Sequence, residues 1–132
     1  MAGLLLLLVV ALSPATEAAR CPAPRVTDLT ARPAGENPYR VRLHVRAEAE
    51  RGRIGGFLLR WGDGMHGGVS FLLKSGARRL SLPLSSHHYR KAGTYRIWLV
   101  AQAESPSCGD MRSEPATLRV RVPLPTRDLS SP

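Results

Sequence analysis

His87-His88-Tyr89-Arg90-Lys91-Ala92-Gly93-Thr94-Tyr95-Arg96-Ile97-Trp98-Leu99-Val100-Ala101 is the stretch that decides how this chain folds. From Tyr95 onward the residues alternate. Tyr95, Ile97, Leu99 and Ala101 fall on one side, and Arg96, Trp98 and Val100 on the other. A period of two is the mark of a β-strand with one buried face. Gly93 stands just before it, where a positive φ would turn the chain into the sheet. Upstream, Val41, Leu43 and Val45 alternate with Arg40, Arg42, His44 and Arg46, which predicts a second half-buried strand with His44 facing out.

Outward from these two anchors the pattern repeats. Arg25 to Arg32 predicts a short edge strand, and Pro33 to Pro38 is dense in turn formers. Glu48 to Arg53 reads as a charged hairpin connection. The strand from Ile54 to Trp61 places Phe57, Leu59 and Trp61 on one face and Leu58 and Arg60 on the other. Val69 to Leu73 and Arg78 to Leu84 predict further strands joined by a turn at Lys74 to Ala77. Pro83 has no N–H to give a ladder, so its strand belongs at an edge or a bulge. Glu104 to Pro115 reads as a polar loop, and Thr117 to Val122 as the closing strand. Seven or eight short strands with no helix predict an all-β antiparallel sandwich of immunoglobulin-like topology over residues 25–122.

His87-x-Tyr89-x-x-x-Gly93-x-Tyr95-x-Ile97-x-Leu99 resembles the strand-opening motif of the polycystic-kidney-disease (PKD) domain family, whose members are immunoglobulin-like β-sandwiches. Trp61-Gly62-Asp63-Gly64 is similar to the family's turn. In the six-residue form of that turn, Leu59 takes the place of the core Trp, Arg60 replaces an acid and Trp61 fills the Phe position. Each buried position stays apolar, so the resemblance implies the fold. With Arg60 in place of the first acid, it does not carry cation binding over. Family members look like spacers and protein- or glycan-contacting modules, which leaves the function open.

The address is read from the ends. Leu4 to Leu12 is an unbroken apolar run followed by the small-residue pattern Thr16-Glu17-Ala18, which predicts a secretory signal peptide over residues 1–18. Residues 19–24 form an extended lead-in and 123–132 a flexible tail. No later segment is apolar enough to cross a membrane. The expected location is extracellular, or periplasmic in a bacterium. There Cys21 and Cys108 are expected to form one disulfide.

The chain carries nineteen Lys and Arg, seventeen of them Arg, against ten Asp and Glu. Such a charge attracts polyanions nonspecifically. The cations are spread over both faces and no nucleic-acid motif is present, so dedicated nucleic-acid binding is not expected. Neither a catalytic residue nor a metal or other cofactor is expected. Ser85, Ser86, His87 and His88 are neighbours in sequence without forming a triad, and Asp63 with Asp110 would make a poor cage for a hard cation. Asp63 reads as a turn residue accepting backbone N–H groups, and Tyr89 and His87 as corner residues with backbone partners.

One surface stands out. In the expected topology the strands beginning near Ile54, Gly93 and Thr117 are neighbours, so Arg60, Arg96, Arg119 and Arg121 gather around an outward Trp98. An exposed Trp among guanidinium groups suits stacking on a sugar ring or anchoring a protein interface. The leading expectation is a secreted, non-enzymatic binding or adhesion module for an extracellular protein or glycan. A structural spacer or assembly subunit is the alternative. A small hydrolase using His87 or His88 comes third.

Overall fold

The alternation at Tyr95 runs through thirteen residues, Gly93 to Ser105. This strand is the sixth of eight in a computed structural model, which describes residues 21–64 and 69–125, with side chains excepted from 69 to 75. The strands are β1 (Arg25–Pro33), β2 (Arg40–Glu48), β3 (Arg53–Arg60), β4 (Val69–Ala77), β5 (Arg79–His88), β6 (Gly93–Ser105), β7 (Gly109–Arg112) and β8 (Ala116–Val122). The leader expected at 1–18, residues 19–20, residues 65–68 and the tail beyond 125 lie outside the described residues.

All pairings are antiparallel. One sheet has the order β1-β2-β5 and the other β4-β3-β6-β7, with β8 pairing the first half of β6 and β7 its second half. The fold is therefore the expected all-β sandwich. Its core is the inward set of each alternation: Val41, Leu43 and Val45 from β2, Phe57 and Leu59 from β3, Ile97, Leu99 and Ala101 from β6, and Val120 and Val122 from β8. Each larger aliphatic or aromatic side chain buried here contributes about 1.5–3 kcal/mol. Among the described residues no helix is long and apolar enough to cross a membrane. The bridge between Cys21 and Cys108 ties the lead-in to the tip of the β6–β7 hairpin, across 87 residues of sequence.

Several local expectations are corrected. Gly93 does not take a positive φ; it is already the first residue of β6, extended and paired with Val122. Glu48 to Arg53 is no hairpin, because β2 and β3 belong to different sheets and the segment crosses between them. The turn expected at Lys74 to Ala77 is the end of β4, and the chain changes sheet at Arg78. The polar loop after β6 contains a strand, β7, with Met111 buried between exposed Asp110 and Arg112. Val100 lies on the outward side, as expected, yet is buried there opposite Leu58. Among the described residues register slips at three places, and one of them, between Val26 and Asp28, lies in the β1–β2 ladder. At Gly55 both pairings of β3 slip, so Ile54 and Phe57, three residues apart, are each fully buried. At Pro83 the β2–β5 ladder slips too, on an edge strand, as its missing N–H requires.

Candidate functional site

Two constellations answer to the residues singled out in the sequence. The first is an aromatic corner built where the end of β3, the end of β5 and the start of β6 meet. Tyr89 is fully buried and its hydroxyl donates to the Trp61 carbonyl at 2.8 Å. Its ring stacks on Tyr95 at 4.2 Å between centroids and meets His87 edge-on at 4.7 Å. His87 in turn stacks on Trp61 at 4.9 Å. The Tyr95 hydroxyl donates to the Lys91 carbonyl. Burial, with the charges of Asp63 and Tyr95 adding to it, pushes the Tyr89 phenol well above its ordinary pKa. The PKD-like motif residues thus form one packed unit.

Tyr89 finds a backbone partner, as expected, but His87 does not rely on one. Its Nε2 lies 2.6 Å from Oδ2 of Asp63, with both side chains mostly buried. A turn residue with backbone donors is all that the sequence around Asp63 suggests; its side-chain partner lies 24 residues away, on β5 of the other sheet. Gly62 lets the turn that carries Asp63 lie close against β6. Its φ is +82°, and a Cβ there would fall 2.2 Å from the Arg96 carbonyl oxygen. A hollow of about 300 Å³ beside the corner is lined by Asp63, His87, His88, Arg90, Lys91 and Tyr95. His88 follows His87 on the strand and is exposed, near the Asn37 amide. Ser85 and Ser86 do not line the hollow, so the serine–histidine cluster of the sequence is not assembled around one point. Asp63 and Asp110 are also kept apart: Gly62 abuts Arg96 while Asp110 pairs with Glu104, eight residues further along β6.

The second constellation is the outward face of β3, β6 and β8. Register lays it out in rows about 6.7 Å apart. Arg60 is opposite Trp98, which is opposite Thr117. In the next row Arg96 faces Arg119, and in the third Thr94 faces Arg121. The four arginines are exposed and Trp98 is half-buried. The Arg60 guanidinium carbon sits 4.8 Å from the centre of the Trp98 ring, in cation–π range. All five residues expected to share this face do so. Sequence reasoning left out Thr94 and Thr117, whose matching parity with Arg96 and Arg119 already placed them there.

No protein-family model matches the sequence, and no curated protein matches it. The structure is similar to the crystal structure of the PKD1 domain of Epp from Vibrio anguillarum, with a TM-score of 0.51 and 17% identity. The match covers 80% of this chain and 99% of that domain. The protein has the PKD-type immunoglobulin-like β-sandwich fold. At that identity the likeness speaks for fold alone.

Proposed function

We propose that this chain is a secreted, non-enzymatic binding or adhesion module. Its contact surface is the sheet face around Trp98, and its partner is an extracellular protein or glycan. The leader-like apolar run at Leu4 to Leu12 and the Cys21–Cys108 bridge support an oxidising, extracytoplasmic setting. The observation that carries the binding reading is the half-exposed Trp98 with Arg60, Arg96, Arg119 and Arg121 around it on three adjacent strands. A large planar side chain beside forked donors is a common composition for an interface anchor.

A spacer or assembly subunit is the second reading. It is favoured by the position of Arg60, which already covers part of the Trp98 ring with the protein's own cation. An array of glycans, proteins and polyanions, probed with the purified protein at two salt concentrations, separates the two. Binding that survives high salt and is lost in Trp98→Ala supports the module. Binding that fades with salt in wild type and Trp98→Ala alike is charge attraction only, and no binding at all favours the spacer.

A further inference from the structure

We propose that the occupant of the Trp98 face is an anionic polysaccharide, one carrying sulfate or uronic carboxylate groups along its pyranose rings. This rests on the reading of that face as a contact surface and adds the chemistry of its partner. Around Trp98 the face is one-signed. Leu58 and Arg60 of β3, Thr94, Arg96, Trp98 and Val100 of β6, and Thr117, Arg119 and Arg121 of β8 share it and include four cations and no carboxylate, while Glu104 and its partner Asp110 lie on the same side of the sheet at its far end, three rows beyond Trp98. Among the described residues none of the four arginines is in an ion pair. Arg96 and Arg119 stand directly opposite each other, an arrangement that like charges disfavour unless an anion lies between them.

The other sheet shows the contrast. It too is rich in arginine and sets Arg32 opposite Arg42, but Arg25 is paired with Glu48, Arg46 faces Asp28, and its outward rings are the imidazoles of His44 and His88, with no indole. Charge alone therefore does not distinguish the two faces; Trp98 does. An indole set in a flat pleated surface offers a stacking platform for a sugar ring. Arg60 above it and the Arg96–Arg119 pair one row on can take anionic substituents with bidentate hydrogen bonds. An extended acidic peptide fits less well. Such peptides bind a sheet by adding a strand to an open edge; Trp98 stands on β6, which has neighbours on both sides, and a strand added at the β8 edge would run beside the face rather than over Trp98.

The test titrates a heparin-derived octasaccharide, its desulfated counterpart and a poly-glutamate peptide onto wild type, Trp98→Ala, Arg96→Ala/Arg119→Ala and Arg40→Ala/Arg42→Ala. Thermal melting checks that each variant is folded; the exposed arginine substitutions are expected to leave stability almost unchanged, and that of half-buried Trp98 to lower the melting temperature without unfolding the protein. The expected result is that wild type prefers the sulfated sugar. Affinity falls about tenfold or more in Trp98→Ala and in Arg96→Ala/Arg119→Ala, and much less in Arg40→Ala/Arg42→Ala. Equal losses from the two arginine pairs would reduce the effect to net charge and overturn the proposal. So would equal or tighter binding of poly-glutamate, or no binding of the sulfated sugar. If the desulfated sugar binds equally well and depends on Trp98 but not on Arg96 and Arg119, the contact surface stands and only the anionic partner is wrong. If Trp98→Ala changes nothing, the contact surface itself falls.

Discussion

At the scale of single residues, Tyr89 holds the corner together. Its buried hydroxyl is bonded to the Trp61 carbonyl, so Tyr89→Phe leaves that acceptor without its partner and is expected to cost about 1–3 kcal/mol, read from chemical denaturation. The same phenol gives the fold an alkaline signature. Its folded-state pKa is raised, so the native state keeps a proton that the unfolded chain releases above about pH 10. The contribution is complete below that pH and is lost as pH rises further. The denaturation midpoint is expected to fall more steeply above pH 10 in wild type than in Tyr89→Phe; parallel curves would contradict this. Gly62 allows an equally local comparison. Gly62→Ala meets both a positive φ and the Arg96 carbonyl at 2.2 Å, whereas Gly64→Ala meets a positive φ of 76° and open space. Gly64→Ala is expected to cost about 1–2 kcal/mol. Gly62→Ala is expected to cost clearly more, as a shift in melting temperature would show.

Among the elements, β6 is the spine, and its two halves have different partners. The changeover falls at Ser113, between β7 and β8. The Ala101 N–H donates to Ser113 Oγ at 2.8 Å, and the Ser113 N–H donates to the Ala101 carbonyl at 2.9 Å. A side chain thus fills the gap in a ladder. Ser113→Ala is expected to destabilise by about 1–3 kcal/mol and to speed exchange of the Ala101 amide, measured by hydrogen-exchange NMR. Unchanged exchange would mean that Ser113 has no such part. The strands themselves were legible because each buries one face, and period two survives in a single sequence: Val41-Leu43-Val45, Ile97-Leu99-Ala101 and Val120-Val122 all read correctly. The links between strands were not. Whether Glu48 to Arg53 closes a hairpin or crosses sheets depends on partners far away in sequence, and the bulge at Gly55 shifts parity without altering composition. Strand β7 did leave a signal, Met111 between Asp110 and Arg112, but four residues are too few for a period to establish itself. The candidate face was legible because outward parity and strand adjacency follow from the fold. The Asp63–His87 pair was not, since nothing local joins residues 24 apart.

Over the whole molecule, one covalent bridge and one charge distribution set the behaviour. The Cys21–Cys108 bond closes most of the described chain into a loop, and Cys21→Ser/Cys108→Ser is expected to lose about 2–4 kcal/mol without a change of fold. Circular dichroism and denaturation together check both parts. The central claim is that Trp98, and not the general positive charge, marks the contact surface. The protein has two tryptophans, one buried in the corner and one on the face, so its nitrogen-15 spectrum should hold two indole signals, which Trp98→Phe assigns. Titration with a heparin-derived octasaccharide is expected to move the Trp98 indole signal progressively and leave that of Trp61 in place. Saturable binding with the Trp98 signal unmoved would contradict the account.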